Sequence, residues 1–205
     1  MSPITSYRRL FSLAGPLYVV VAFIGRLPLA MSQMGTLLLV AATTGSYGAG
    51  GAAAGALAVA NAVGAPVAGS LADRFGQRPV VLVQSLAGGL ALLALVWLAQ
   101  TGATTPAVIT AAAVAGAAMP QIGPLARVRW RPITRETGST QPRLMETAFS
   151  YEGAADEASF VLGPALLGVL VVLASPAAGL VFAAVVLLVF GCGFALHPTA
   201  RLAHA

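Results

Sequence analysis

Four charged residues stand inside stretches that are otherwise apolar: Arg26, Glu152, Asp156 and Glu157. Glu152 and Asp156 are four residues apart and share one face of a helix, whereas Glu157 is turned away from Asp156 by about 100°. A charge at the centre of a bilayer costs at least about 2.5–3.5 kcal/mol, so it has to be paired or face a wet cavity. These residues are therefore candidates for a salt bridge, for proton coupling or for substrate binding.

The composition indicates that lipid is the solvent of most of the chain. Hydrophobic residues make up 58% of the 205 residues and charged residues 8%, against about 25% charged residues in soluble domains. All eleven basic residues are arginine, and they lie in short clusters between long apolar runs. This pattern fits loops that face an anionic leaflet, and it argues against nucleic acid as a partner.

No enzyme motif is present in the sequence: HExxH, GxSxG, the P-loop and GxGxxG are all absent. The two histidines, His197 and His204, lie in the C-terminal tail. The single cysteine, Cys192, lies in an apolar run and is typical of a small packed side chain. We therefore expect no enzymatic activity, no cofactor and no metal site.

Six apolar segments are long enough to cross a bilayer, because a hydrocarbon core about 30 Å thick needs about 20 residues of helix. The sequence predicts an all-α polytopic membrane protein with residues 1–11 as a cytoplasmic N-terminus, 12–196 as the transmembrane domain and 197–205 as a cytoplasmic tail. The predicted spans are 12–40, 47–71, 79–99, 105–126, 145–173 and 177–196. Two prolines at residues 119–124 break the fourth span near its end, and residues 127–144 form the one long loop.

The placement of the arginines orients these spans. With the N-terminus inside, ten of the eleven arginines lie on the cytoplasmic side, and the opposite loops near residues 43, 102 and 175 carry no positive charge. The exception is Arg26, which lies within the first span. The positive-inside rule therefore predicts a multi-pass protein of the cell (plasma) membrane with both termini in the cytoplasm.

A charged turn with a glycine follows the second predicted span and runs from Gly69 to Pro79. Gly76 permits a tight turn, and Asp73 can accept from helix N-terminal amides or pair with an arginine. The turn resembles the signature loop between helices two and three of the major facilitator superfamily. The matching residues are Gly69, Leu71, Asp73, Arg74, Gly76 and Arg78. Gln77 departs from the pattern at a position that is commonly basic, and an ordinary charged turn that fixes topology is the alternative.

This resemblance implies the N-terminal six-helix half of a secondary transporter, made of two inverted three-helix repeats. It also implies that the signature loop is a conformational switch that latches against a C-terminal half. Three explanations follow from finding one half: a fragment of a longer product, a unit that pairs with itself or another half, or a non-transporting scaffold or regulator. We expect transport of a small-molecule substrate across the lipid bilayer, with a second half as a further partner.

A second motif lies in the fifth predicted span, where Gly163, Pro164 and Gly168 resemble the Gly-Pro motif of the drug-efflux antiporters of this family. Ser159 and Leu167 stand where that motif has glycines. The resemblance favours efflux over import, and Pro164 predicts a bend that serves as a hinge or as a close-packing groove. The fourth span lacks the arginine–glycine pattern that many proton-coupled members carry.

The family's first and fifth helices are neighbours, and the resemblance therefore implies that Arg26 pairs with Asp156 or Glu157 near the substrate cavity. A structural salt bridge and a role in coupling or substrate binding are the two interpretations. Polar residues within the spans either line a pathway or hydrogen-bond between helices. These residues are Gln33, Asn61, Gln84 and Gln121. Hydrogen bonding is the preferred role for Gln84, because the third helix is peripheral in the family.

Overall fold

The computed structural model describes residues 3–202, and within this range the secondary structure is helical, with no strand. The helices in chain order are α1 (Pro3–Ala14), α2 (Pro16–Ile24), α3 (Leu27–Thr44), α4 (Tyr47–Phe75), α5 (Gln77–Gln100), α6 (Thr105–Ala117), α7 (Ile122–Ile133), α8 (Gln141–Leu173), α9 (Pro176–Val186), α10 (Cys192–Leu196) and α11 (Thr199–Leu202). A 3-10 helix (Arg135–Thr140) joins α7 to α8, and a π-helical turn (Leu187–Gly191) joins α9 to α10.

Joined across their internal breaks, these helices give six segments that are long and apolar enough to cross a membrane. The six candidate spans, numbered 1 to 6, are Pro16–Thr44, Tyr47–Phe75, Gln77–Gln100, Thr105–Ile133, Arg135–Leu173 and Pro176–Leu196. The prediction of an all-α fold with six such helices is confirmed by this architecture within residues 3–202.

Span 1 is interrupted at Arg26. Pro28 has no N–H for the carbonyl four residues before it, and its ring crowds that carbonyl, so a regular helix cannot continue. In its place the amide of Arg26 donates to the Phe23 carbonyl over 3.2 Å, and the amide of Leu29 donates to the Arg26 carbonyl over 3.2 Å. Arg26 therefore stands at a tightened corner between α2 and α3, not on a regular helix.

Span 4 is broken between α6 and α7, within the proline-containing stretch where the sequence predicts a break. Pro120 cannot donate to the carbonyl of Gly116 four residues before it. The freed carbonyl accepts from the amide of Met119 over 3.2 Å and from Nδ2 of Asn61 over 3.1 Å. A side chain of span 2 thus caps the break in span 4.

The start of span 1 differs from the predicted residue 12. Gly15 adopts a φ of +82° and ends α1, and Pro16 then opens α2 in the position that proline favours at a helix start. Residues 12–14 belong instead to α1, which packs against α8 and buries Leu10 completely.

The loop predicted at residues 127–144 is wrong, because most of this segment is helical. Helix α7 continues to Ile133 and α8 begins at Gln141. Arginine is a good helix former, so a cluster of arginines does not end a helix. Ala126 and Trp130, one turn apart, are both fully buried and give α7 an inward face at the end of span 4.

Helix α3 packs against α4, α8 and α9, while α4 crosses α6 and α5 packs against α6 and α9. The crossing of α4 and α6 depends on Gly116, where an added Cβ would lie 2.1 Å from the carbonyl oxygen of Leu57. Spans 2 and 5 are the least buried of the six. Gly51 and Gly55, whose spacing predicts close packing, have no atom within 4 Å of an added Cβ and lie on the open side of span 2.

Candidate functional site

The breaks in spans 1 and 4 lie side by side and face span 5. An added Cβ at Gly25 would meet Cδ1 of Ile122 at 2.8 Å, so the two breaks are in direct contact. The guanidinium of Arg26 leaves the first break and forms a buried ion pair between its Nη2 and Oε2 of Glu152. Its Nη1 lies 3.5 Å from Oδ1 of Asp156. Two broken helices and one continuous helix therefore build the site.

Glu152 is fully buried, and both of its carboxylate oxygens are engaged. Oε2 pairs with Arg26, and Oε1 accepts a hydrogen bond of 2.5 Å from Nε1 of Trp130. Trp130 in turn packs edge-on against Tyr18, with ring centroids 5.5 Å apart. Glu152 on α8 is thus held from the corner of span 1 and from α7, which suits a residue that fixes the position of Arg26.

Asp156 is shared between two arginines. Its Oδ1 faces Arg26, while its Oδ2 accepts a hydrogen bond of 2.6 Å from Nη2 of Arg127. The side chain of Asp156 is 26% exposed and that of Arg127 is 43% exposed, against 4% for Arg26. The charge cluster, which we define as Arg26, Arg127, Glu152 and Asp156, therefore has a buried half and a partly exposed half.

Two adjoining cavities lie beside the charge cluster. The smaller, of about 210 Å³, is lined by Arg26 and Asp156 together with residues of the span 4 break. The larger, of about 440 Å³, extends along spans 1, 2 and 5 and includes Gln33. Three lining residues belong to both: Leu29, Gln121 and Phe160. Nε and Nη1 of Arg26 are buried and make no hydrogen bond within the described part of the chain, although Nη1 lies in ion-pair contact with Asp156.

Amide side chains form the polar wall of the larger cavity. Gln121 donates from Nε2 to Oδ1 of Asn61 over 3.2 Å, and Asn61 donates onward to the span 4 break. Both residues line the cavity, so the two predicted roles for them are combined in the structure. Gln84 donates to the carbonyl of Met119 over 3.5 Å, which agrees with the interhelical role preferred for it.

The ion pair predicted for Arg26 is only partly correct. Asp156 lies beside Arg26, but the closest partner is Glu152, one helical turn earlier on the same face of α8. Glu157 is exposed and takes part in no ion pair among residues 3–202. Its position one residue after Asp156 turns it away from the cluster by about 100°.

The glycines and the proline of the span 5 motif lie in a helix that continues through Pro164 without a break, from Gln141 to Leu173. Gly163 allows the close approach of span 1, because an added Cβ would lie 2.7 Å from Cβ of Ala30. Pro164 lines the larger cavity, and Gly168 has no atom within 4 Å of an added Cβ.

The residues of the predicted switch loop lie mostly in two helix ends, and a single glycine joins these helices. Gly69, Leu71, Asp73 and Arg74 lie in the last turns of α4, and Arg78 lies in the first turn of α5. Gly76 alone joins the helices with a φ of +88°, the left-handed backbone conformation that glycine adopts at tight turns. Asp73 is exposed and forms no ion pair within the described residues.

A buried arginine within the predicted long loop, Arg129, joins several helices at the same end of the bundle. Arg129 is fully buried, stacks 3.5 Å from the ring centroid of Phe194 and donates from Nη1 to the Phe194 carbonyl over 2.9 Å. Its Nε donates to Oε1 of Gln77 over 2.8 Å. A basic residue in place of Gln77 would repel this guanidinium. The spacing of Ala126, Arg129 and Trp130 on one helix face was the available signal.

Comparisons with family models and with curated proteins return no match for the chain. Within residues 3–202, no group of three or more histidine, cysteine, aspartate or glutamate side chains is arranged to hold a metal ion. The function of the chain is therefore inferred from the geometry of the charge cluster and its cavities.

Proposed function

We propose that the chain is one half of a major facilitator-type secondary transporter, located in the plasma membrane with both termini in the cytoplasm. It moves a small molecule through the cavity beside the charge cluster. The observation that best supports this proposal is that the breaks of spans 1 and 4 meet at that cavity. In the proposed fold, spans 1 to 3 and spans 4 to 6 are inverted repeats, so the two breaks fall in corresponding spans. Interrupted helices at matching positions are typical of transporter binding sites.

The two carboxylates have different tasks in this proposal. Glu152, buried and held on both oxygens, keeps Arg26 at the span 1 break. Asp156 is partly exposed and is shared by Arg26 and Arg127, so its protonation or its contact with a substrate cation weakens both contacts at once. Release of Arg127 then removes one of the contacts between α7 and α8, while the hydrogen bond from Trp130 to Glu152 stays in place. A charge event in the cavity is thereby coupled to a movement of spans 4 and 5.

Export is the direction we assign, based on the Gly163–Pro164 resemblance in span 5. The close approach of Gly163 to Ala30 holds span 5 against span 1. The exposed Asp73 and Arg74 at the end of span 2 are available for the latch that the signature loop predicts. The open sides of spans 2 and 5 are where a second six-helix half would dock in this account.

A non-transporting scaffold or regulator, or an inactive fragment, is the alternative function. The observation that favours it is the burial of the Arg26–Glu152 pair, which has a side-chain exposure of 4% and 0% and resembles a structural salt bridge. An exchange of Asp73→Asn separates the two readings. Lost substrate flux at an unchanged membrane level favours the transporter, while lost co-purification of a partner without an effect on flux favours the scaffold.

The test of the two-half proposal is the mass of the solubilised chain, measured by light scattering corrected for detergent. The proposal predicts a unit of two six-span halves: either twice the chain mass of 20.5 kDa or a complex with a second six-span chain. A homogeneous particle of 20.5 kDa without a partner contradicts it and favours the fragment or accessory protein.

A further inference from the structure

A long apolar groove lies on the outer surface between α4 and α5, apart from the charge cluster. Its volume is about 650 Å³, within the roughly 300–1,000 Å³ that is typical of ligand sites. Ala117 of α6 contributes to its lining, and Gln84 is the one polar side chain among the lining residues of the described chain. No other helix of residues 3–202 covers the groove, because Val63 and Val83 on its two walls are each 64% exposed.

The groove is long enough to hold an extended acyl chain along α4. On α4 its lining runs from Ala60 to Phe75, which is about 22 Å of helix at about 1.5 Å per residue. Half of the hydrocarbon core is about 15 Å thick. With the Gly76 turn at the polar boundary, the groove is longer than one leaflet is thick and passes the middle of the bilayer.

Positive charge is concentrated at the polar end of the groove. Phe75 and Pro79 line this end, and each directly follows an arginine in the sequence, Arg74 and Arg78. The Arg74 guanidinium carbon lies 5.3 Å from the centroid of the Phe75 ring, which places the charge at the mouth of the groove. Neither arginine forms an ion pair within the described residues, and Asp73 is the one acidic residue of the turn.

We propose that this groove binds an anionic glycerophospholipid, with an acyl chain along α4 and α5 and its phosphate at Arg74 and Arg78. The site is separate from the transport cavity, and it does not depend on the proposed transport function. An apolar groove with two arginines at one end matches the shape and the charge of an anionic lipid, which has an acyl chain and a phosphate.

A helix of a second half is the competing occupant, and the residues of the groove favour the lipid. Helices that pack in membranes approach through small residues. The groove also has small lining residues on α4, but Gly64 among them already packs against Ala117 of α6. The residues that stand out from its wall are Val63, Val67 and Phe75, each more than half exposed. A flexible acyl chain adapts to a wall of branched and aromatic side chains without such a requirement.

The test is lipid retention by the full chain, delipidated in detergent, supplied with phosphatidylglycerol or phosphatidylcholine and measured by native mass spectrometry. We expect preferential retention of phosphatidylglycerol. The double exchange Arg74→Gln/Arg78→Gln should weaken that binding about 25-fold, about fivefold for each charge near an anionic headgroup. The matched control Arg8→Gln/Arg9→Gln removes the same charge from exposed positions of α1 and should leave retention unchanged.

A second variant tests the apolar part of the site. Ala68→Phe places a ring in the groove and should reduce the retention of both lipids while the arginines remain. Equal retention of the two lipids, insensitive to both the arginine exchange and Ala68→Phe, would overturn the proposal. A chain that retains no phospholipid but forms a dimer that Ala68→Phe disrupts would assign the groove to a second copy instead.

Discussion

Nη2 of Arg127 lies 2.6 Å from Oδ2 of Asp156 and joins span 4 to span 5 at the open side of the charge cluster. Both side chains are partly exposed, so water or a substrate can reach this contact while the Arg26–Glu152 pair behind it stays dry. A surface ion pair contributes about 0–1 kcal/mol, whereas a buried pair that loses one partner costs about 3–5 kcal/mol. The cluster thus combines a stable anchor with a contact that is easily exchanged.

The anchor predicts a large effect of Glu152→Gln on stability. The exchange leaves the Arg26 guanidinium buried without its closest carboxylate, and we expect a loss of about 3 kcal/mol in the free energy of unfolding. The remaining contact to Asp156 keeps the loss at the low end of the range. Chemical denaturation in detergent, followed by circular dichroism, measures this difference. Glu157→Gln is the matched control, because Glu157 is exposed, and it should change stability by less than about 0.5 kcal/mol. Equal effects of the two exchanges would remove the anchor role of Glu152.

Because Gly123 lies close to the Asp156 carboxylate, we expect Gly123→Ala to disturb the ion pairs of Asp156. An added Cβ would lie 2.6 Å from Oδ1 of Asp156, so the carboxylate has to move and its contacts to both arginines change. We expect a lower thermal stability than that of the unaltered protein. Gly153→Ala on α8 is the control, since no atom lies within 4 Å of its added Cβ, and it should stabilise the helix by about 0.5–1 kcal/mol. A Gly123→Ala variant that gains as much stability as Gly153→Ala would contradict the described position of Asp156.

The buried stack of Arg129 on Phe194 predicts that a lysine does not replace this arginine. Lysine lacks the planar group that stacks on Phe194 and donates to Gln77 and to the Phe194 carbonyl in fixed directions. Arg129→Lys should destabilise the protein by about 2–4 kcal/mol, because buried acceptors are left unpaired. The conservative control Arg131→Lys changes an exposed residue two positions later and should have little effect. Similar denaturation curves for the two variants would show that Arg129 is not the tie between spans 3, 4 and 6.

His197 predicts a pH dependence at this same end of the bundle. Burial, with repulsion from Arg129 as the smaller cause, lowers the pKa of His197 below its usual value of 6.5. The unfolded chain then binds a proton at a higher pH than the native state, so the free energy of unfolding falls as the pH drops through about 6.5. His197→Gln should flatten this slope, as measured by unfolding between about pH 7.5 and 5. A slope that is unchanged in the variant would locate the proton uptake elsewhere.

Apolar length and arginine spacing were enough to predict an all-α chain with six candidate spans. The interruption of span 4 was also predictable, because Pro120 removes a donor wherever a helix is attempted. The corner at Arg26 was not predictable. Pro28 removes a donor in the same way, but a single proline within a span often causes only a bend.

The partner of Arg26 and the burial of Arg129 could not be predicted without the three-dimensional structure. Glu152 and Asp156 share a face of α8, so sequence spacing alone does not decide which of them an arginine on another helix meets. Arg129 belongs to a cluster of arginines that is typical of a cytoplasmic loop, and its burial depends on Gln77 and Phe194, 52 and 65 residues away.

Access of water to the cavity from both sides of the membrane tests the central claim most directly. A cysteine is placed in the cavity by Gln33→Cys in a Cys192→Ala background, and vesicles of both orientations are treated with a membrane-impermeant maleimide. Leu90→Cys, on the exposed side of span 3, is the control that should remain unlabelled. We expect the cavity cysteine to be labelled from both sides. In the Asp156→Asn variant it should be labelled from one side, whereas in the Glu157→Gln variant it should still be labelled from both sides. Labelling from a single side, unaffected by either exchange, would contradict a transporter and leave a static membrane scaffold.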